Sequence, residues 1–109
     1  MSLKIDIKYH EKDSLIVVIP EGDIDIYTSH KFKETVLNSY CKHEGDISID
    51  GLKLEYVDST GLGALISILK TARENDNEII INNLKPNIRK LFDITELDKV
   101  FTIRGEGNE

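Results

Sequence analysis

After an opening pair of strands, short apolar runs alternate with stretches of helical periodicity along the whole chain. That alternation limits the fold more than any other feature. Leu15 to Ile19, Ile47 with Ile49, and Ile79-Ile80-Ile81 read as strands, the continuous runs as strands covered on both faces. Phe32, Val36, Leu37 and Tyr40 repeat at helical spacing, as do Leu62, Leu65, Ile66 and Leu69, and later Ile88, Leu91 and Phe92. Right-handed crossovers between such strands make them mostly parallel neighbours in one sheet. In front of them, Leu3, Ile5, Ile7 and Tyr9 alternate with Lys4, Asp6 and Lys8, the period of a half-buried strand. The short polar link from His10 to Ser14 folds this strand back on Leu15 to Ile19 as an antiparallel hairpin. The expected class is α/β. One domain spans residues 1–109, ordered over about 3–104 with a flexible tail at 105–109. It is a small mixed sheet, an N-terminal hairpin followed by mostly parallel strands, packed with three to four helices.

Local signals refine this outline. Pro20 has no amide to donate, so the second strand should lose pairing on one side there. Thr28 is placed to cap the first helix, with Tyr27 and Phe32 at the positions of a hydrophobic staple, and Gly45 marks the exit. The strand at Ile47 and Ile49 is extended through Leu52 and Leu54. The second helix begins at Asp58 or Ser59, Glu74 to Asn77 is a turn, and Pro86 suits the first position of a third helix. Val100, Phe101 and Ile103 form a last short strand.

Composition excludes several classes of function. The formal net charge is −6, and no run of Lys or Arg stands clear of acids, which argues against a nucleic-acid partner and suits a basic protein partner. Cys41 is the single cysteine, so no internal disulfide can form; it reads as a small, partly buried residue near a helix end. The charged, alternating N-terminus is not a signal peptide, and no apolar run approaches the roughly 20 residues of a membrane span. A cytoplasmic protein is expected. His10, His30 and His43 match no zinc spacing, and neither a P-loop nor a nucleophile elbow is present, so no cofactor or metal is expected.

In an open α/β sheet, function gathers beyond the carboxyl ends of the strands. Two loops leave such ends: Gly22-Asp23-Ile24-Asp25, and Tyr56 through Gly63. If strands two and three are parallel neighbours, both loops share one edge of the sheet. Asp58 and Ser59 are good caps. Gly61 and Gly63 in a first helical turn each cost about 1 kcal/mol relative to alanine. Two readings of these glycines stay open: close packing of the helix on a strand, or a smooth surface for a partner.

Asp58-Ser59-Thr60-Gly61-Leu62-Gly63 resembles the signature of anti-sigma factor antagonists with the STAS fold. Gly22-Asp23-Ile24-Asp25 resembles the acidic loop of that family, and Leu91-Phe92-Asp93-Ile94-Thr95-Glu96-Leu97 its late helix. The resemblance implies a regulatory binding module without catalytic activity. Ser59 would be phosphorylated by an anti-sigma factor that is also a kinase. The unphosphorylated form would bind that kinase and release a sigma factor, the phosphorylated form would let go, and a phosphatase would reset the switch. Asp25 would help engage the kinase, and Asp58, Thr60, Gly61 and Gly63 would complete the contact surface of a monomer or weak dimer. Thr60 is a second candidate phosphosite.

The physics of such a switch follows independently. A phosphate adds about −1.5 to −2 charges. At a helix N-terminus the dipole favours that charge by roughly 0.3–1 kcal/mol, so the fold tolerates it. Across an interface, facing like charges can cost several kcal/mol, which turns a tight complex into a weak one. Two other readings compete with this one. STAS domains also serve as scaffolds or regulatory subunits of transporters and signalling complexes. Clustered Asp23, Asp25 and Asp58 also suggest a receiver-like phosphoaspartate protein holding magnesium, with Lys85 after Asn82-Asn83 as an imperfect lysine.

Overall fold

A computed structural model describes residues 2–105; the expected tail beyond Gly105 lies outside the described residues. Among these described residues, six strands form one sheet: β1 (Leu3–His10), β2 (Leu15–Ile24), β3 (Asp46–Asp50), β4 (Leu54–Val57), β5 (Ile79–Asn82) and β6 (Thr102–Arg104). Three α-helices connect them: α1 (Ser29–Lys42), α2 (Ser59–Glu74) and α3 (Pro86–Ile94). Single 3-10 turns lie at Glu11–Asp13 and Leu97–Lys99. The strand order is β1-β2-β3-β5-β6, with β4 also beside β2. Among the described residues, only the β1–β2 pair is antiparallel.

The length of β2 organises the molecule. Residues 15–18 pair with β3, and residues 22–24 pair with β4. Pro20 falls in the gap between these two partners, where its missing amide orphans no acceptor. The strand does not end there, because on its other side Pro20 faces Ile5 of β1. Gly22 sits at a bulge with φ of 118°, and a Cβ there would run into Ser2 O.

The expected continuation of the third strand through Leu52 and Leu54 does not occur. Asp50 Oδ1 accepts the Leu52 N–H at 3.0 Å, the chain turns at residues 51–53, and β4 starts anew against a different stretch of β2. The apolar phase already slips in the sequence, from odd positions at Ile47 and Ile49 to even ones at Leu52 and Leu54.

Helices cover one face of the sheet. Register places Ile5, Ile7 and Tyr9 of β1 opposite Pro20, Val18 and Ile16 of β2, and extends that face through Ile47 and Ile49 to Ile79 and Ile81. Phe32, Val36 and Tyr40 of α1 and Leu65, Ile68 and Leu69 of α2 are buried in the same core. Each such side chain contributes about 1.5–3 kcal/mol by leaving water. The Tyr40 hydroxyl accepts from Asn77 Nδ2 at 2.7 Å, so its polar tip is satisfied. Phe92 of α3 meets Phe101 edge to face, centroids 5.7 Å apart. The other sheet face lies open, with Leu15, Val17 and Ile19 only half-buried. The expectation that β2 is covered on both faces is thus corrected: all the α-helical burial falls on its even-numbered side chains. Cys41 is exposed rather than partly buried, and Val100 and Phe101 both precede the last strand instead of joining it, leaving Ile103 within it.

Candidate functional site

Two chain exits lie side by side at the carboxyl ends of β2 and β4. Ile24 pairs with Val57, and Asp58 N–H donates to Ile24 O at 3.3 Å. From here the chain leaves once into α1 and once into α2. The adjacency expected of the two loops is present, but β4 supplies the second loop, not β3.

The exit into α1 is closed on itself. Asp25 Oδ1 accepts the Tyr27 N–H at 2.9 Å and lies 3.2 Å from Thr28 Oγ1. Thr28 Oγ1 donates to Asp23 O at 2.8 Å and accepts from Asp25 N at 2.9 Å. Asp25 is only 4% exposed. The structure corrects its expected role as a surface contact: its carboxylate is turned inward and shapes the loop. Thr28 stands at the cap position of α1, yet its side chain makes no cap bond because it is spent on the loop. The staple expected between Tyr27 and Phe32 is absent, since Phe32 is fully buried while Tyr27 is 80% exposed. Ile26 beside it is 66% exposed. This displayed apolar pair was missed in the sequence, where Tyr27 read as half of a staple with Phe32. The available signal was the Asp25-x-x-Thr28 spacing, which closes the loop beneath it.

The exit into α2 is arranged differently. Asp58 has extended dihedrals and caps the helix, its Oδ1 accepting from Gly61 N at 2.9 Å. The same oxygen accepts from Thr60 Oγ1 at 2.6 Å, and Oδ2 accepts from Ile26 N at 3.3 Å. The Thr60 hydroxyl, followed by the Gly61 amide, holds the Asp58 carboxyl below its ordinary value. Asp58 therefore ties the two exits together. The Thr60 hydroxyl is engaged, whereas the exposed Ser59 hydroxyl makes no hydrogen bond to any described residue. Ser59 is the first residue of α2, where amides are free to meet an anion.

The two glycines separate. Gly61 is buried, and a Cβ there would run into Ile24 O and lie 3.0 Å from Val57 Cγ1. Close packing of α2 on β2 explains it, and it presents no surface of its own. Gly63 is exposed, with nothing within 4 Å of a Cβ. Leu62 belongs to the core at 7% exposure. Beside Ser59 a cleft of about 500 Å³ runs between α2 and α3, lined by Tyr56, Leu62, Asn87, Ile88 and Leu91.

The receiver-like reading fits poorly. Asp25 and Asp58 are committed to N–H and hydroxyl donors, and Lys85 Nζ bonds Leu52 O at 2.9 Å and Glu55 Oε2 at 3.2 Å.

A carbonyl-packed glycine, a carboxylate cap and a free hydroxyl at the start of one helix, with helices covering one face of a mixed sheet, define the class. The chain belongs to the STAS domain family, whose profile matches residues 6–107. The anti-sigma-B factor antagonist of Listeria monocytogenes is 34% identical over 110 residues, covering all of this chain and 95% of that protein. Among solved structures, a Thermotoga maritima protein superposes with a TM-score of 0.86 at 21% identity, over 94% of this chain and 87% of its own. The Bacillus cell fate determinant SpoIIAA in its phosphorylated form superposes with a TM-score of 0.73 at 15% identity, over 96% and 93% of the two chains. Among the described residues, no helix is long and apolar enough to cross a membrane.

Proposed function

We propose that this chain is a cytoplasmic anti-sigma factor antagonist without catalytic activity of its own. Its unphosphorylated form binds an anti-sigma factor that is also a serine kinase and so frees a sigma factor. Phosphorylation of Ser59 ends that binding, and a phosphatase restores it. The observation that carries this reading is the contrast between two adjacent hydroxyls: Ser59 is exposed and unbonded, while Thr60 is held by Asp58 at 2.6 Å. A kinase that must reach one oxygen meets Ser59 first. Thr60 and Gly63 lie exposed on the docking surface. Asp58, Asp25 and Gly61 act from beneath it, by holding the two chain exits and the start of α2 in place. Ile26 and Tyr27, large hydrophobic side chains displayed to solvent, are suited to be its anchors.

A dianion on Ser59 would stand beside Asp58 at the centre of that surface. Its effect is on the complex, since the helix start can accommodate the charge. The test is incubation of the chain with candidate anti-sigma kinases and ATP, followed by mapping of the phosphate by mass spectrometry. Label on Ser59 alone is expected, with Ser59→Ala unlabelled but still bound. Label on Thr60, or on an aspartate, overturns the assignment.

A further inference from the structure

The sheet ends in two unlike edges. β6 offers three residues, while β1 offers eight, and among the described residues no strand pairs with the outer side of β1. The direction of its free groups follows from the ladder. Gly22, opposite Leu3, gives its N–H away from β1, to Lys53 O at 3.1 Å, while Asp23 N donates to Ser2 O at 2.9 Å. Leu3–Gly22 is thus a non-hydrogen-bonded pair. By alternation Leu3, Ile5, Ile7 and Tyr9 turn their own N–H and C=O groups toward the open edge. Their side chains sit on the helix-covered face but are only half-buried, so an apolar rim runs along the same edge.

We propose that β1 is a self-association edge, paired antiparallel with β1 of a second copy about Ile7. Only residues with outward-facing amides can form the hydrogen-bonded pairs, which restricts the register to odd opposite odd. Centring on Ile7 sets Ile7 opposite Ile7 and Ile5 opposite Tyr9, all three of these positions outward-facing. On the open face it sets Asp6 opposite Lys8 twice and Lys4 opposite His10. Centring on Asp6 would instead oppose Asp6 to itself and Lys4 to Lys8, and centring on Lys8 would oppose Lys8 to itself. Opposite charges directly across an antiparallel pair stabilise it and like charges destabilise it, so charge selects the Ile7 register over both neighbours. Centring on Ile5 also opposes Lys4 to Asp6, but it leaves Tyr9 and His10 unpaired. The strand is short, which makes the dimer weak and reversible. β1 is separated from β4 by β2, so pairing leaves the start of α2 free in both copies.

Sedimentation velocity of the full chain over a concentration series up to millimolar tests this. A reversible monomer–dimer equilibrium is expected. Asp6→Lys, at an exposed position, should weaken it by about tenfold or more. Lys8→Asp should do the same, and the double exchange Asp6→Lys with Lys8→Asp should restore the wild-type constant. Circular dichroism of each variant reports the fold separately. A wild-type chain that stays monomeric throughout, an Asp6→Lys chain that dimerises unchanged, or a double exchange that fails to restore pairing overturns the proposal.

Discussion

The starts of α1 and α2 lie side by side and are built from similar residues, yet they do different work. At α1 the hydroxyl of Thr28 and the carboxylate of Asp25 are turned back into their own loop. At α2 the carboxylate of Asp58 captures Thr60 and Gly61 and leaves the Ser59 hydroxyl free. One start is consumed as scaffold; the other keeps one oxygen available for chemistry. The link between them is the Asp58 carboxylate, which also receives the Ile26 amide. The Asp58 side chain, accepting three donors, is occupied in holding the two exits together. The difference teaches that a candidate switch residue is sought by asking which polar atom its neighbours do not use.

The largest effect that would break this comparison lies at Gly61. Gly61→Ala places a methyl group against the backbone oxygen of Ile24, which no rotamer change relieves. A loss of at least about 2 kcal/mol in denaturant unfolding is expected. A neutral outcome would mean that α2 is not seated on β2 as described.

Next is Thr28→Val, nearly the same in shape but without the hydroxyl. It takes from the Asp25 amide the hydroxyl to which it donates at 2.9 Å in a part-buried loop. The expected cost is about 1–3 kcal/mol by the same measurement. Partner affinity should fall with it, because Ile26 and Tyr27 lose their support. If affinity were unchanged, the displayed pair would not be an anchor.

The smallest effect concerns Asp58 and has a definite sign in pH. Its carboxyl is held below the ordinary value of 3.8 in the folded chain. The stabilisation this gives is complete above about pH 4, and is lost as pH falls through the lower folded value. Asp58→Asn keeps an oxygen at the cap but no charge. Its denaturation midpoint should lie below that of the parent at neutral pH, and the two should converge as pH falls below about 4. A difference that grew on acidification would contradict the cap geometry.

Much of the α2 start was legible because capping is local. Asp58, the helix that follows it and Pro86 at the head of α3 announce themselves within three or four residues. The internal role of Asp25 was not legible from its type, since an acidic loop residue ordinarily faces water. Its burial depends on Thr28 three positions later and on the close of β2 against β4. The break between β3 and β4 was written in the slip of apolar phase after Ile49. It was obscured because Gly51-Leu52-Lys53-Leu54 resumes an alternating pattern at once. The open face of β2 escaped for a different reason: an unbroken apolar run looks the same whether both sides are covered or one is half exposed.

The account stands on a charge at Ser59 acting on the complex and not on the fold. The direct test compares the chain with and without phosphate on Ser59, measuring affinity for the kinase that placed it and the thermal midpoint of each form. The account predicts an affinity loss of about a hundredfold or more, with the midpoint moved by no more than about 2 °C. Equal affinity of the two forms, or a phosphorylated chain that melts well below the unmodified one, would contradict it.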